Sequence, residues 1–168
     1  ATRRHVRSKG SHARQGDVLL PAGDVVNAGA VALLASVGAG EPLVSPEARV
    51  AHLVTGSELL SQESKPPPGF IRDSNSPLVA ALLAEVGAKR IFHSHVSESV
   101  EDAVTALKDL DVDLLLISGG ASVGAYDGTT EILGRLGFAV HCSKVRSRPG
   151  KPLIFATRGA CAAFGLPG

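Results

Sequence analysis

From Arg49 onward, apolar runs of strand length alternate with amphipathic segments of helix length. The apolar runs at 49–54, 89–95 and 112–118 predict three strands. Parallel strands need a long crossover, usually a helix, so this order predicts βαβ units. Hydrophobic residues make up 44% of the chain but aromatic residues only 4%, so Val, Leu, Ile and Ala must build the core. The pattern therefore predicts an α/β fold with a largely parallel sheet.

The connecting segments predict three helices. The first begins with Ser76 as its N-cap and Pro77 at its first position, and Gly87 ends it. The second is predicted over 100–110 and the third over 129–136, where Gly137 closes it. Further β-like runs follow at 138–147, 152–157 and 160–164.

Residues 1–45 follow a different pattern. Short β-like pieces such as 17–20 lie between turns at Gly10, Gly16 and 21–23, and they predict part of a small β subdomain. A connecting helix is predicted over 27–37. A chain of 168 residues buries one full core and part of a second. We therefore predict a partial β segment at 1–45 and an α/β domain at 46–168, truncated at its C-terminus.

Charge and composition limit the partners. Five bases precede the first acid, Asp17, but no aromatic residues or recognition module accompany them, so we interpret this arm as solvated and expect no nucleic acid partner. These bases are Arg3, Arg4, Arg7, Lys9 and Arg14. No apolar stretch is long enough to cross a membrane, and no secretory signal is present.

The two cysteines bear on the redox environment of the protein, and the missing methionine bears on how the chain was produced. Cys142 and Cys161 lie in no C-x-x-C spacing and make no disulfide framework, which favours a reducing cytoplasm. Since the chain contains no methionine, we expect it to be processed or to be an excerpt of a longer protein.

The glycine-rich segment 118–127 is a candidate anion site. It runs from a predicted strand into a helix N-terminus, where backbone N–H groups can hold phosphate or another oxyanion. In parallel sheets, ligands bind beyond the carboxyl ends of the strands. The segment matches neither G-x-x-x-x-G-K-[ST] nor G-x-G-x-x-G, which disfavours an ordinary triphosphatase or dinucleotide site. The alternative is a tight turn that uses glycine for its positive φ.

Three acids are predicted near the same sheet edge: Glu58, Asp73 and Asp127. Carboxylates there can bind Mg²⁺ beside a phosphate or accept a proton from water. Each acid also has a structural interpretation. Asp127 would cap the third helix, Asp73 would organise the turn before Ser76, and Glu58 would be a solvated surface acid.

Cations alternate along the run at 138–147 and just beyond it. Lys144, Arg146 and Arg148 would share one strand face, and Lys151 follows in the next turn. Such cations suit a tetrahedral oxyanion. The alternative is an edge strand protected by positive charge.

His93 and His95 are predicted to share one face of a strand. No cysteine or carboxylate stands at ligand spacing beside them. We therefore predict a core or rim position for both histidines and no zinc site.

Together these motifs resemble the MoeA family, the molybdopterin molybdenumtransferases, in order and spacing. The similarity also covers 16–38, so it extends over nearly the whole chain. The matching motifs are Thr55-Gly56-Ser57-Glu58-Leu59, Asp73-Ser74-Asn75, the loop 119–127, Arg148-Pro149-Gly150-Lys151-Pro152 and Gly165-Leu166-Pro167-Gly168. This chain departs from the family at Ser57, where Asp is frequent, and at Ser97-Glu98, where an Asp pair is common.

The resemblance implies a fold, a three-layer α/β/α sandwich around a largely parallel sheet, and a reaction. Adenylylated molybdopterin is bound with Mg²⁺, molybdate enters, the phosphoanhydride is cleaved to release AMP, and the metal ends on the dithiolene sulfurs. The resemblance also implies a cytoplasmic homodimer of the full-length protein, and the molybdopterin adenylyltransferase as a partner. The excerpt alone is expected to be inactive.

The resemblance further implies roles for individual residues. Asp127 and Asp73 would be Mg²⁺ ligands and, with Glu58, the catalytic acids. The residues implied to cradle the phosphates are Gly119, Gly120, Ser122 and Gly124. The remaining substrate-binding residues are Thr55, Gly56, Ser74 and Asn75, with Arg148, Lys151 and Pro152 around molybdate.

Two other interpretations are considered. Molybdopterin adenylyltransferases and the CinA family have the same fold and a similar Thr-Gly-x-Glu start, but the motifs at 148–152 and 165–168 disfavour both. A non-catalytic scaffold, as in gephyrin-like relatives that anchor receptors, would bind ligand without releasing AMP.

Overall fold

The chain divides into two units, Ala1–Ser45 and Pro46–Gly168. The computed structural model describes residues 9–10, 13–97, 99–119 and 125–167, and only the backbone of 89–91 and 125–127. The first unit contains helix α1, Ala28–Ser36. The side chain of Asn27 caps this helix by accepting a hydrogen bond from Ala30 N at 3.0 Å. The helix predicted over 27–37 is thus confirmed.

The β-like pieces expected in the first unit are not formed in its described part. No described residue of 13–45 lies in a strand, and residues 17–20 pass through coil and a bend. A short extended segment needs a neighbouring strand to pair its backbone N–H and C=O groups. Among the described residues of this unit, α1 is the only helix or strand, so there is no strand for such a segment to pair with.

The second unit alternates strands and helices along the chain. A six-stranded sheet has the order β4-β1-β5-β8-β7-β6, and β2 and β3 form a separate small ladder. In chain order the elements are β1 Arg49–Thr55, β2 Leu59–Leu60, β3 Ile71–Arg72, α2 Asn75–Glu85, β4 Lys89–Val96, α3 Val100–Leu107, β5 Leu114–Gly119, α4 Ala125–Arg135, β6 Ala139–Cys142, β7 Ile154–Arg158 and β8 Cys161–Gly165. Neighbours among β4, β1, β5 and β8 are parallel, whereas β7 is antiparallel to β8 and to β6.

Helices cover both faces of this sheet. On one face, Leu53 packs in a core that includes Leu107 of α3 and Leu133 of α4. On the other face, Val50 packs with Val79 of α2. Alternate residues of β1 therefore enter two different cores, which explains why this strand is apolar almost throughout. The predicted three-layer α/β/α sandwich around a largely parallel sheet is confirmed.

Several predicted boundaries need correction. Helix α2 begins at Asn75 with Ser74 at the N-cap position, not at Ser76, because the Asp73 carboxylate accepts from Ser76 N at 2.9 Å and supplies the cap. Helix α3 ends at Leu107, three residues before the predicted end at 110. Helix α4 begins at Ala125 rather than 129, since Gly128 continues the helix.

The cation-bearing run is also not a strand beyond Cys142. Val145 N donates to Lys151 O at 2.9 Å, and Leu153 N donates to Gly150 O at 3.2 Å. These backbone groups are satisfied inside the β6–β7 connection, so residues 143–147 do not extend the sheet. The prediction that Lys144, Arg146 and Arg148 share one strand face is therefore wrong. None of the helices in the described ranges is long and apolar enough to span a membrane.

Candidate functional site

The carboxyl ends of β4, β1 and β5 lie side by side at one edge of the sheet. The parallel register pairs Thr55 with Val96 on one side and with Gly119 on the other. Beyond the strand end, Gly56 N donates to Val96 O at 3.3 Å. The loops that follow β1 and β5 were singled out from the sequence, and the structure places the strand ends from which they start side by side.

Gly119 pairs with Thr55 at the end of the β1–β5 ladder, where there is no room for a side chain. A Cβ atom on Gly119 would lie 1.9 Å from Thr55 O, and the φ of Gly119 is +108°. Real Cβ atoms do not approach a carbonyl oxygen so closely, and L residues rarely adopt this φ. Only glycine therefore fits here, which keeps the start of the β5–α4 loop free of side chains.

Glu58 lies directly against the β1 loop. A Cβ atom on Gly56 would lie 2.9 Å from Glu58 Oε2, so the carboxylate folds back over this glycine. Glu58 is half-buried, whereas Ser57 beside it is exposed. Glu58 is therefore not a fully solvated surface acid, because its carboxylate also lies against Gly56.

Asp73 organises the start of α2, as the structural interpretation predicted. Its carboxylate accepts from Ser76 N at 2.9 Å and also from Ser76 Oγ. Burial opposes ionisation of Asp73, but the hydrogen bonds from Ser76 and Asn75 and the nearby His93 together hold the pKa of Asp73 below its usual value. The carboxylate is thus ionised and fixed in position, while Ser74 is exposed and Asn75 is half-buried.

We expect Asp73→Ala to lower the free energy of unfolding by about 1 kcal/mol, because α2 loses its cap. Ser74→Ala is the matched control and should cost only a few tenths of a kcal/mol, since the Ser74 side chain makes no cap hydrogen bond. Urea unfolding measures both. Equal losses in the two variants would contradict the capping role.

The same carboxylate predicts an acid dependence of stability. Because folding lowers the pKa of Asp73, its contribution is complete above the unfolded pKa, near 3.8, and is lost as the pH falls through the folded value. The stability gap between the parent chain and Asp73→Ala should therefore be constant near neutrality and shrink below about pH 4. A gap that widens in acid would reverse the sign assigned here.

A cavity of about 510 Å³ opens beside Asp73, between the β1–β3 connection and the face of β4. His93 and His95 line this cavity. Both lie at a rim, as predicted from the sequence, but the cavity that they line was not predicted. The sequence signal was present as two histidines spaced for one strand face. The lining residues are Leu59, Leu60, Ser61, Gln62, Glu63, Asp73, Ser76, His93 and His95.

A buried polar pair lies beneath this cavity. His52 is fully buried in β1, and its Nε2 lies 2.7 Å from Ser118 Oγ in β5. The His52 ring also packs against His93, with 5.3 Å between ring centroids. Burying a polar side chain on a central strand costs free energy unless it is hydrogen-bonded. The hydrogen bond between His52 and Ser118 therefore holds in place the side chain of Ser118, the residue immediately before Gly119.

The cations lie at the same sheet edge but over different strands. Arg148, Lys151 and Pro152 belong to the β6–β7 connection, where Arg148 and Lys151 are exposed. Strand β6 is three positions from β5 in the sheet, which corresponds to roughly 14 Å at about 4.8 Å per strand. The structure therefore places these cations at the carboxyl edge of the sheet but three strand positions from β5, without a hydrogen bond or ion pair to Glu58 or Asp73 among the described residues.

Part of the predicted site lies outside the described residues. Gly120, Ser122 and Gly124 are among them, and of Asp127 only the backbone is described, in the first turn of α4. Within the described ranges, no three His, Cys, Asp or Glu side chains lie close enough to hold a metal ion.

Comparison with known proteins identifies the family. A family model described as a probable molybdopterin binding domain matches residues 51–168. The chain belongs to this molybdopterin-binding domain family. The match begins within β1, at residue 51, and includes all the later strands and helices that form the site.

The curated relatives confirm the resemblance to the MoeA family. A molybdopterin molybdenumtransferase of Nostoc sp. is 38% identical over 97% of this chain and 38% of its own length. One from Bacillus subtilis is 35% identical over 98% of this chain and 39% of its own length. The molybdenum cofactor synthesis protein cinnamon of Drosophila melanogaster is 37% identical over 97% of this chain and 27% of its own length. The chain thus spans about two fifths or less of the length of these relatives.

Known structures agree with the fold. The molybdopterin biosynthesis MoeA protein of Pyrococcus horikoshii matches with a TM-score of 0.68 and 29% identity, over 83% of this chain and 35% of that chain. The MoaB protein of Thermus thermophilus matches with a TM-score of 0.51 and 16% identity over 72% of this chain and 81% of that chain. The second likeness concerns the fold alone.

Proposed function

We propose that this chain is the molybdopterin-binding domain of a molybdopterin molybdenumtransferase. The enzyme acts in molybdenum cofactor biosynthesis by inserting molybdate into adenylylated molybdopterin, with hydrolysis of the phosphoanhydride and release of AMP. The proposal rests on one observation above all, the close approach of the Gly119 backbone to Thr55 O at the strand ends, which leaves no room for a Cβ atom. That approach requires glycine at the end of β5, just before the helix α4, in a chain whose relatives bear this enzyme's name.

The β5–α4 loop would bind the phosphates. Backbone N–H groups at a helix N-terminus have no intrahelical partner, and the helix dipole favours negative charge there. Gly119, Gly120, Ser122 and Gly124 would let the phosphates approach the backbone closely. Thr55 and Gly56 from the neighbouring strand end would form the other side, together with Ser74 and Asn75 at the start of α2.

The acids would handle protons and the metal. Asp73 is held ionised by hydrogen bonds from Ser76 and Asn75, so its negative charge can bind a cation without moving. Mg²⁺ in phosphate sites uses one or two carboxylates besides phosphate oxygens and water, and Asp73 and Asp127 would supply them. When bound, the ion would neutralise charge that develops on the phosphoanhydride. Glu58, folded over Gly56, would orient the attacking water.

The β6–β7 connection would hold molybdate. Arg148 and Lys151 offer positive charge to a tetrahedral dianion, and Pro152 shapes the wall beside them. The loop is closed by the hydrogen bond from Val145 N to Lys151 O at 2.9 Å, so these cations are carried on a defined turn. Strand β6 lies roughly 14 Å from β5, so molybdate would be held apart from the phosphates until the substrate bridges the two sites.

The wider setting is proposed with the activity. We infer a cytoplasmic enzyme that is a homodimer at full length and receives its substrate from the molybdopterin adenylyltransferase. Since the relatives are more than twice as long as this chain, we expect full activity only in a full-length protein that carries the domain.

The proposal is tested by AMP release. The full-length protein that carries this domain is incubated with adenylylated molybdopterin and Mg²⁺, with and without molybdate, and AMP is measured by chromatography. We expect AMP to form only when molybdate is present. Binding of the nucleotide without AMP release in the presence of molybdate would support the scaffold interpretation and overturn the enzyme proposal.

A further inference from the structure

A row of polar side chains crosses three neighbouring strands of the sheet. His93 on β4 pairs with His52 on β1, and 5.3 Å separates the centroids of their rings. His52 Nε2 in turn lies 2.7 Å from Ser118 Oγ on β5. The row therefore runs from the cavity wall that His93 lines to the last residue but one of β5.

Packing alone does not explain the buried pair in this row. His52 is fully buried and Ser118 almost fully. Their neighbours on this face of the sheet are apolar, namely Val50 and Val54 on β1 and Leu116 on β5. Strands covered on both faces are usually apolar throughout, and a buried imidazole recovers its lost hydration only through hydrogen bonds. An apolar side chain would fill this position without that cost, so the pair points to a role besides packing.

The end of β5 is paired with β1 further along than with β8. The ladder between β5 and β8 ends at Ile117. The ladder between β5 and β1 continues to Ser118 and Gly119. The β5–α4 loop starts from these two residues. Of the two neighbouring strands, it is therefore β1 that determines where this loop begins.

The hydrogen bond between His52 and Ser118 acts at this point. In the ladder, His52 pairs with Leu116, two residues before Ser118. The hydrogen bond therefore runs diagonally between the strands, toward the loop. If β5 slipped by one residue along β1, Ser118 would turn to the opposite face of the sheet and this bond would be lost. The pair thus fixes the register of the last two residues of β5.

We propose that His52 is a positioning residue for the β5–α4 loop, whose backbone N–H groups would bind the phosphates of the substrate. The assignment deepens the proposed function and rests on it. His52 is fully buried in β1 and acts through Ser118, which it holds at the start of the loop. Binding by backbone groups depends on their placement, and a displacement of roughly 1 Å can cost on the order of a hundredfold in rate. Loss of the pair should therefore weaken the binding of adenylylated molybdopterin and leave molybdate binding at the β6–β7 connection unaffected.

A variant that removes both partners separates this role from stability. Deleting one partner of a buried hydrogen bond leaves the other without it, whereas replacing both by apolar groups can be nearly neutral for folding. His52→Leu combined with Ser118→Ala should therefore unfold thermally near the parent protein. In the full-length protein that carries this domain, the combined variant should raise the KM for adenylylated molybdopterin about tenfold in the AMP release assay. The KM for molybdate should not change.

Three further variants complete the test. In His52→Gln the new amide can still bond to Ser118 Oγ, so part of the affinity for adenylylated molybdopterin should be recovered. His141→Leu combined with Thr157→Val removes a second histidine–hydroxyl hydrogen bond, 2.6 Å long and between β6 and β7, and should leave both KM values unchanged. If the combined variant of His52 and Ser118 does not fold, Ser118→Ala alone is read by the same two KM values. An unchanged KM for adenylylated molybdopterin, or an equal rise in both KM values, overturns the assignment.

Equilibrium dialysis with adenylylated molybdopterin, without molybdate, distinguishes the failure of this assignment from the failure of the proposed function. AMP release by the parent protein with no loss of affinity in the combined variant overturns only the role of His52. Weaker binding by the combined variant, in a protein whose parent releases no AMP, supports the role of His52 and overturns only the enzymatic proposal. A parent protein that neither binds the nucleotide nor releases AMP overturns both.

Discussion

Gly119→Ala is expected to destabilise the α/β unit by roughly 3 kcal/mol or more. The added Cβ would lie 1.9 Å from Thr55 O and 2.9 Å from Thr55 C, and both residues end strands in the middle of the sheet. Neither backbone can move aside, because β1 is held by β4 on its other side and β5 by β8. A positive φ adds to the cost for alanine. Urea unfolding measures the loss.

Gly134→Ala is the control for this prediction. Gly134 lies on the exposed side of α4, and a Cβ there would meet nothing within 4 Å. Gly134 lies in the last turn of α4, where alanine gains less over glycine than the roughly 0.5 to 1 kcal/mol of a helix interior, so this variant should be at least as stable as the parent chain. If Gly119→Ala unfolds at the same urea concentration as the parent, the close approach of β1 and β5 described here is incorrect.

Lys151→Ala should reduce molybdate-dependent AMP release by on the order of a hundredfold in the full-length protein, if the β6–β7 connection holds molybdate as proposed. The lost cation offsets the charge of a dianion, so the KM for molybdate should rise while binding of adenylylated molybdopterin is kept. The fold should be preserved, because Lys151 is exposed and it is its backbone oxygen that accepts from Val145 N.

Lys108→Ala is the matched control for the cation. Lys108 follows α3 at its C-terminal end and therefore lies at the sheet edge opposite the strand ends. It should leave both AMP release and the KM for molybdate unchanged. A hundredfold loss in both variants would indicate a general effect of surface charge, and no loss in Lys151→Ala would remove this residue from the proposed molybdate site.

The main strands and helices of the unit could be predicted because apolar runs, glycines and capping residues mark them locally. Strand β1 was predicted to within one residue, since an apolar run ending at Thr-Gly has few alternatives. The start of α2 was misplaced because two signals compete there. Ser76 and Pro77 imitate an N-cap and first turn, whereas the observed cap is the Asp73 carboxylate three residues before Ser76.

The site was harder to predict where it depends on pairs distant in sequence. The contact between Gly119 and Thr55 follows from strand register, which no local pattern encodes. The cavity depends on a wall held by Arg72 and on histidines from another strand, so its lining was not predicted. The alternating cations at Lys144, Arg146 and Arg148 were misleading. They have the spacing of a strand, but they lie in a loop whose backbone hydrogen bonds are made within the loop.

The reversed direction of β7 has a consequence for how this domain can diversify. Because β6 and β7 are antiparallel neighbours, their connection is a hairpin loop and not a helical crossover, and it projects from the same edge as the glycine loop. Insertions or deletions in 143–153 would shift its cations without disturbing the register of the four parallel strands. If this connection holds molybdate as proposed, selectivity among oxyanions of different size can change by loop length alone, while the parallel strands keep their register.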